Sequence, residues 1–415
     1  MKNFNPVRGT NDYAPRDAKI RAWAKQTILE SYQENGYNLI TTPILEHLDF
    51  LNSSDGGDNL RLMFKTVKRK DKLDLTKPNL TEEDITAEGL RYDLTVPLAR
   101  FYANNKEKLP TPFKSIQIDY AFRAERPQRG RDRQFIQCDI DVFGDASINA
   151  ELELLKTVID TYQKLGFEKL SVKINSRKIL TALILNAGFN DEDVNSVCIT
   201  LDKLDKISLN GVIMELIEKN FATENINTLA DTLADINANG VNVLVKHGAN
   251  SVDVEEIAYL INTLNKITGN KFDIKFDVSI VRGQGYYTGS VFEVYTDGFT
   301  GAIGGGGRYD NMVGKFSGQP VPAVGFGLGF EPVCMLIKER GMTVPLKQNL
   351  ALIYDDEDIC EVFKVKDKLK KQYNVSLYKR AKNMKSFYDK IGEVADCVTS
   401  VADYKQGKEI KIINK

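Results

Sequence analysis

The sequence predicts an α+β fold with a β-rich core, a helical insertion and a small α/β unit at the C-terminus. Between residues 114 and 144, two apolar runs flank an arginine-rich segment, a pattern typical of a long hairpin. Residues 177–268 instead carry apolar positions at helical spacing, and beyond them short apolar runs alternate with charged helical stretches. We therefore predict three divisions of the chain: a core domain over 1–330, a helix end and linker over 331–347, and a second domain over 348–415.

The first part of the core is predicted as a helix followed by strands. Apolar residues recur at helical spacing over residues 17–35, and Gly36 marks the turn into the strand-like run YNLITTPIL. The apolar segment MFKTV predicts a second strand. The charged stretch 68–89 after it is interpreted as a solvated loop or insertion.

The remaining elements follow from the same periodicities. Helices are predicted over 150–166, through most of 177–268 and near 331–340. Core strands are predicted in SVKIN, FDVSIVRG, SVFEVYT and AVGFGLGF, with the glycine cluster GAIGGGGRYD separating the last two. In the second domain, strands in ALIYD, VSLYK and CVTSV alternate with two helices.

Composition narrows the class of protein. The chain has 415 residues, and 56 Lys and Arg against 57 Asp and Glu give a net charge of -1, so any contact with nucleic acid must use local basic patches. Its five cysteines are widely spaced and odd in number, which argues against a disulfide framework. No apolar run approaches the roughly 20 residues of a membrane span, so we expect a cytoplasmic protein.

The arginine-rich hairpin tip is the first candidate site. Arginines occur at five positions of FRAERPQRGRDRQF, and a planar guanidinium can bind two phosphate oxygens while keeping its charge. The cluster therefore suits a polyphosphate. A solvated basic loop would give the same composition, although the flanking strands favour a binding function.

Two glycine-rich segments could let a ligand approach the backbone. In IVRGQGYYTGSVFEV, glycines bracket Arg282 and the pair Tyr286 and Tyr287, a pattern that turn chemistry also explains. GAIGGGGRYD and AVGFGLGFEP could accommodate a flat or charged ligand. They match neither a Walker loop nor a dinucleotide-binding fingerprint.

Acidic and amide side chains form a third candidate. Strand alternation places Gln137, Asp139 and Asp141 on one face of a strand, and Asp93 precedes a second apolar segment. These groups could bind an amine or a nitrogen heterocycle. A solvent-facing side of a sheet gives the same alternation, so the pattern alone does not decide. Two histidines, His47 and His247, are too few for a metal site.

Taken in order, these segments resemble the histidyl-tRNA synthetase family of class II aminoacyl-tRNA synthetases. The resemblance covers nearly all of residues 1–330 and rests on the following segments: VRGTNDYAP, GYNLITTPILE, LRYDLTVPLARFYA, FRAERPQRGRDRQFIQCDIDVFG, KINSRKIL, VRGQGYYTGSVFE and GGGGRYDNMV. Of these, GYNLITTPILE is similar to the class II dimer motif that ends at a proline, here Pro43. The resemblance implies a six-stranded antiparallel catalytic sheet with a helical insertion, a homodimer, and a C-terminal anticodon-binding domain.

The resemblance also implies an activity and its residues. The protein would be a histidine–tRNA ligase that activates L-histidine with ATP and Mg²⁺ and transfers it to tRNA(His), with Arg123 and Arg282 stabilising the charge at the α-phosphate. The implied ATP-binding residues are Arg123, Glu125, Arg131, Arg133, Phe135 and Arg282. The implied histidine-binding residues are Asp93 and Thr95 at the α-amino group, Gln137, Asp141, Tyr286 and Tyr287 around the imidazole, and Arg123 and Arg282. No metal ligands are assigned.

The sequence departs from the family pattern at three places. Pro332 occupies the position of an arginine that the family's third motif places on ATP, Gln284 and Gly285 stand where Leu and Asp are common, and the C-terminal domain is short. These departures leave open a synthetase paralogue that binds histidine as a regulator, like the regulatory subunit of ATP phosphoribosyltransferase. An RNA-binding module without catalysis is a third alternative, which the near-zero net charge disfavours.

Overall fold

The structure is a computed structural model that describes residues 4–52, 57–69, 72–281 and 286–413. The chain divides into two compact units, of which the first comprises residues 1–10 and 25–336 and the second comprises residues 11–24 and 337–415. The predicted division at residues 330 and 348 stays a prediction. It did not anticipate that residues 11–24 are grouped with the C-terminal part of the chain.

Fifteen strands occur in the described residues. They are β1 (Asn38–Leu39), β2 (Leu45–His47), β3 (Lys65–Val67), β4 (Thr86–Leu90), β5 (Phe113–Phe122), β6 (Gln134–Phe143), β7 (Leu170–Ser176), β8 (Asp273–Phe276), β9 (Ser290–Thr296), β10 (Gly304–Arg308), β11 (Ala323–Gly329), β12 (Asn349–Tyr354), β13 (Asn374–Lys379), β14 (Cys397–Ser400) and β15 (Lys411–Ile412).

The same residues contain fifteen α-helices, none of which is both long and apolar enough to cross a bilayer. They are α1 (Pro15–Glu34), α2 (Leu48–Asn52), α3 (Glu82–Ile85), α4 (Thr95–Asn105), α5 (Asn149–Lys164), α6 (Arg177–Asn186), α7 (Val194–Leu201), α8 (Leu204–Glu218), α9 (Thr223–Asn239), α10 (Ser251–Ile267), α11 (Gly314–Ser317), α12 (Phe330–Glu339), α13 (Ile359–Leu369), α14 (Met384–Ile391) and α15 (Val401–Lys405).

The first unit is built on an eight-stranded sheet with the order β1-β5-β6-β11-β10-β9-β7-β8. The six central strands pair antiparallel, while β1 and β8 add to the two edges in parallel. The expected sheet of six antiparallel strands is therefore present, and the expectation missed the two parallel edge strands. A separate three-stranded sheet, β2-β4-β3, belongs to the same unit.

The long hairpin is confirmed as β5 and β6, which pair from Phe113 with Phe143 to Phe122 with Gln134. Because side chains alternate along a strand, Cys138 and Ile140 face one side of the sheet, and Gln137, Asp139 and Asp141 face the other. Helix α5 packs on the apolar side. The polar side of β6 is thereby left available for a site.

Two predicted strands are shorter in the structure. In YNLITTPIL only Asn38–Leu39 and the start of β2 are strand, because Pro43 has no backbone N–H to donate to a ladder. In FDVSIVRG only Phe276 belongs to a strand, as the last residue of β8, because the Asp277 carboxylate accepts hydrogen bonds from the backbone N and side-chain hydroxyl of Ser279 and turns the chain. The last two residues of that segment, Arg282 and Gly283, lie outside the described residues.

Two segments predicted as irregular contain regular structure. The charged stretch 68–89 ends in helix α3 and strand β4, which occupies the middle of the three-stranded sheet. The glycine cluster forms β10 itself, between β9 and β11. A Cβ at Gly306 would lie 1.9 Å from the carbonyl oxygen of Gly325, so the close pairing of these strands requires glycine there.

The second unit contains a four-stranded sheet with the order β13-β12-β14-β15, in which only β15 pairs antiparallel. Leu350 and Leu352 of β12 pack with α13 on one face, and Ala351 and Ile353 pack with Ile391 of α14 on the other. The predicted alternation of strands and helices is confirmed in these elements.

Candidate active site

A cavity of about 390 Å³ opens on the polar side of the sheet in the first unit. Its walls come from the segment before α4, the hairpin tip between β5 and β6, the strands β6, β10 and β11, and the first turn of α12. Most of the residues implied by the resemblance line it: Asp93, Thr95, Arg123, Glu125, Arg131, Phe135, Gln137, Asp141, Tyr286 and Tyr287.

Two of the predicted residues are not among these. Arg133 donates from its Nε to the carbonyl oxygen of Glu125 at 2.9 Å, and its backbone N donates to Gly9 at 2.7 Å. In the structure it therefore supports the hairpin, and its predicted contact with phosphate stays a prediction. Arg282 lies outside the described residues, so its proposed catalytic role also stays a prediction.

Glycines on β11 form the floor beneath the polar residues of β6. Asp141 is opposite Gly325 and Asp139 is opposite Gly327. A Cβ at Gly325 would lie 1.9 Å from Asp141 Oδ1, and a Cβ at Gly327 would lie 3.0 Å from Asp139 Oδ1. The two carboxylates thus lean over β11 into space that only glycine leaves free.

The acidic groups of the cavity are buried, although sequence alternation allowed a solvent-facing strand. Asp93, Asp139 and Asp141 are 2%, 4% and 3% exposed. Four buried acceptor atoms at the cavity have no hydrogen-bond partner: Asp93 Oδ2, Gln137 Oε1, Asp139 Oδ1 and Asp141 Oδ2. Such atoms are costly unless a ligand or water satisfies them, so this wall is prepared for hydrogen-bond donors.

Burial determines the protonation behaviour of these acids. Loss of solvation raises the pKa of Asp93, and it raises the pKa of Asp139 well above its usual range, with the charges of Asp141 and Asp93 adding to the effect. Burial raises the pKa of Asp141 to about 7, although the hydroxyl of Tyr309 donates to its Oδ1 at 2.5 Å and opposes the shift. A cationic ligand would reverse these shifts.

The loop that presents Asp93 is tightly held. Gln117 Nε2 donates to the carbonyl oxygen of Leu94 at 2.9 Å, and Arg123 Nε donates to that of Tyr92 at 2.9 Å. Asp93 Oδ1 itself accepts from the backbone N of Val96 at 3.1 Å, in the first turn of α4. The second carboxylate oxygen of Asp93 is thereby fixed in its direction.

A buried ion pair supports the tyrosine wall. Arg308 donates to both carboxylate oxygens of Glu151, at 2.7 and 2.6 Å, and Glu151 also accepts from the hydroxyl of Ser290 at 2.8 Å. Tyr309, the next residue, packs edge-on against Tyr286 with 6.0 Å between ring centroids. The arrangement fixes the aromatic rings around Asp141.

The other end of the cavity combines cations with an aromatic ring. The guanidinium carbon of Arg123 lies 5.2 Å from the centroid of the Phe135 ring, and Glu125 and Arg131 line the same end. This end suits a nucleotide, because the base can stack on the Phe135 ring and the phosphate can pair with the guanidinium of Arg123.

Pro332 lies at this end, in the first turn of α12, where a residue without a backbone N–H is tolerated. A Cβ built on Gly130 at the hairpin tip would lie 3.4 Å from Pro332 Cγ and 3.3 Å from the ring of Phe299. Pro332 brings no charge to this end of the cavity. Arg129 and Arg131 flank Gly130 in sequence, and of these two Arg131 lines the cavity.

Several lining residues were missed as site residues by sequence reasoning. Asp139 was recognised as part of the polar face but had no counterpart in the set that the resemblance implied. Its alternation with Gln137 and Asp141 along the strand was the signal from which Asp139 could have been predicted as a site residue. The other missed lining residues with polar side chains are Asp132, Glu293, Tyr309 and Glu331.

A sequence model described as histidyl-tRNA synthetase matches residues 9–333. The chain belongs to the histidyl-tRNA synthetase family. It is 37% identical over 404 residues to a histidine–tRNA ligase of Leifsonia xyli subsp. xyli, a match that covers 93% of this chain and 92% of that one. The resemblance predicted from the motifs is thereby confirmed.

Solved structures support the fold of the family. A histidyl-tRNA synthetase from Nostoc sp. PCC 7120 superposes with a TM-score of 0.77 at 23% identity, covering 99% of this chain and 96% of that one. An ATP phosphoribosyltransferase regulatory subunit/histidyl-tRNA synthetase from Bacillus halodurans C gives a TM-score of 0.76 at 20% identity, covering 96% and 98%. At these identities the likeness concerns the fold alone.

Proposed function

We propose that the protein is a histidine–tRNA ligase whose cavity holds histidine at the acidic end and ATP at the arginine end. The observation that carries this proposal is the set of four unpartnered acceptors on the acidic wall. Histidine with a neutral imidazole has three ammonium N–H groups and one ring N–H, which is the same number of donors. A ligand lacking these donors would leave buried acceptors unsatisfied and bind weakly.

Adenylate formation follows from the arrangement of charge. The carboxylate of histidine attacks the α-phosphate, the bond to pyrophosphate breaks, and negative charge is concentrated between the two subsites. Arg123 lines the cavity where these subsites meet and is already oriented by the carbonyl of Tyr92, so it stabilises that charge without reorganisation. Arg282 would add a second cation, and a ribose hydroxyl of tRNA would then attack the adenylate.

ATP and Mg²⁺ are expected as substrate and accompanying cation. Among the residues that the structure describes, no cluster of three or more His, Cys, Asp or Glu side chains is arranged to hold a metal ion. Mg²⁺ commonly takes its ligands from phosphate oxygens, water and one or two carboxylates. Glu293 in the cavity is a carboxylate of this kind, so the described residues fit a metal that arrives with ATP.

The test is histidine-dependent exchange between ATP and pyrophosphate with purified full-length protein. Replacing Arg123 by Ala should reduce kcat/KM by about 100-fold or more, because a charge-stabilising group is lost from the transition state. Arg126→Ala is the matched control, since Arg126 is exposed on the same hairpin and is not among the lining residues. Histidine binding without exchange would contradict the ligase and favour the histidine-binding regulator.

The partners expected of the family are part of the proposal. We infer a homodimer, for which the exposed apolar side chains Leu39, Ile44, Leu45 and Val67 of the first unit provide surface. We infer that the second unit binds the anticodon arm of tRNA(His). The cytoplasmic location also stays a prediction.

A further inference from the structure

The acidic wall contains one carboxylate more than the histidine-binding residues that the family resemblance implies. Asp139 is 4% exposed, lines the cavity, and has one oxygen without a partner. Its other oxygen accepts from Gln137 Nε2 at 3.3 Å. A buried carboxylate with this little compensation destabilises the ligand-free protein, so its presence points to a ligand.

The position of Asp139 identifies the part of the ligand that it meets. It precedes Asp141 by two residues on the same face of β6, and both Asp93 and Asp141 act electrostatically on it. The amide that donates to Asp139 is that of Gln137, whose own carbonyl oxygen has no partner. Asp139 therefore lies between Gln137 and Asp141 on the polar face of β6, within reach of the charge of Asp93.

We propose that Asp139 is a histidine-binding residue that accepts a hydrogen bond from the α-ammonium group of the amino acid, together with Asp93 and Gln137. This places Gln137 at the ammonium group and not at the imidazole, where the resemblance implied it. This inference rests on the proposed function and deepens it. Three ammonium N–H groups then meet three acceptors, and the ring N–H meets Asp141. Without Asp139, one of the three ammonium donors lacks a partner among the four orphaned atoms.

The consequence is a strongly anionic ammonium subsite. Two carboxylates and one amide carbonyl select for a primary ammonium over a neutral group at that position, because a ligand without the cation leaves the carboxylates uncompensated. Arg123, which also acts electrostatically on Asp139, balances part of this charge and is positioned for the substrate carboxylate.

The experiment compares two ligands by calorimetric titration of the ligand-free full-length protein. L-histidine carries both the ammonium and the ring, and 3-(imidazol-4-yl)propionate carries the ring and the carboxylate without the ammonium. Asp139→Asn is expected to weaken histidine binding by about 10-fold or more, the effect of losing one charge-assisted hydrogen bond, and to leave imidazolylpropionate binding within about 2-fold.

Two further variants serve as references. Asp141→Asn should weaken both ligands, because it changes the ring subsite. Asp160→Asn carries the same chemical change on the outer part of α5, where its carboxylate pairs with Lys156, and should change neither affinity.

A stability measurement separates a binding role from a structural one. In the absence of ligand, Asp139→Asn should unfold at a higher temperature than the wild type, because asparagine has no charge that must be buried or neutralised by proton uptake when the chain folds. A lower unfolding temperature, unchanged histidine affinity, or equal losses for both ligands would each overturn the assignment.

The failure of this inference is distinguishable from the failure of the proposed function. If the wild type binds histidine and catalyses exchange while Asp139→Asn binds it equally well, only the role of Asp139 is wrong. If the wild type does not bind histidine, both are wrong.

Discussion

At the scale of single residues, Arg91 shows how a buried charge can serve a site that it does not touch. Its side chain is fully buried, donates to the carbonyl oxygens of Thr42 at 2.7 Å and Tyr120 at 2.8 Å, and pairs with Asp119 at 2.8 Å. These bonds fix the backbone two residues before Asp93. The position of the ammonium subsite therefore depends on a guanidinium outside the cavity lining.

The titration of Asp141 gives a prediction about stability and pH. Its pKa is raised to about 7 by burial, whereas an aspartate in an unfolded chain titrates near 4. The folded protein therefore binds this proton more tightly than the unfolded chain. The associated stability is fully present below about pH 4 and is lost as the pH rises through about 7.

We expect Asp141→Asn, which stays neutral, to gain stability relative to the wild type between pH 5 and pH 8. The gain should rise from about 1 kcal/mol at pH 5 to about 4 kcal/mol at pH 8, since each pKa unit corresponds to about 1.4 kcal/mol. Urea unfolding at several pH values measures it, with Asp160→Asn as a control. A difference that does not change with pH would show that burial of Asp141 carries no such cost.

At the scale of elements, β11 explains why the site requires glycine at every second position of one strand. Gly325, Gly327 and Gly329 line the cavity, whereas Phe326 and Leu328, which alternate with them, have side chains buried in the core. The same strand thus packs the hydrophobic core on one side and leaves room for two carboxylates on the other.

We expect Gly325→Ala to weaken the binding of both histidine and imidazolylpropionate by about 10-fold or more, because its methyl group would displace Asp141, which is held by Tyr309. Gly327→Ala should have the smaller effect, since its methyl group lies 3.0 Å from the flexible end of Asp139. Calorimetric titration of the two variants makes the comparison. Full affinity in Gly325→Ala would mean that Asp141 does not contact the ring.

At the scale of the whole molecule, the two units carry different surfaces. The cavity lies in the first unit, and the second unit has exposed lysines, which we propose provide charge for RNA. The basic segments KVKDKLKKQ and LYKRAKNMK lie on different elements. The first forms the second half of α13 and the residues after it, and the second runs from the end of β13 into the start of α14. Helices α13 and α14 pack on opposite faces of the sheet.

We expect replacement of Lys368 and Lys371 by Glu to reduce the efficiency of tRNA charging by about 10-fold, with a smaller dependence on salt concentration, and to leave histidine-dependent ATP–pyrophosphate exchange unchanged. Both side chains are exposed near the end of α13. Steady-state charging and exchange assays at two salt concentrations test this. Equal losses in both assays would show that the lysines contribute to folding or to the activation of histidine rather than to RNA binding.

The sequence by itself determined the family and the order of most elements. Arg123, Gln137 and Asp141 were implied by the resemblance to the family, and all three line the cavity. Strand alternation alone left a solvent-facing strand open. The hairpin and the helical block were predictable because each forms from neighbouring residues.

Only the tertiary structure decided which of these polar residues are buried and what surrounds them. Strand alternation could not show whether the polar face of β6 is exposed to solvent or lines a buried cavity. The glycines of β10 and β11 that create the cavity are far along the chain from β6. The same long-range packing turned the glycine cluster into a central strand. It also brought Asp139 into the site and showed Arg133 supporting the hairpin, because burial and pairing are properties of the assembled sheet.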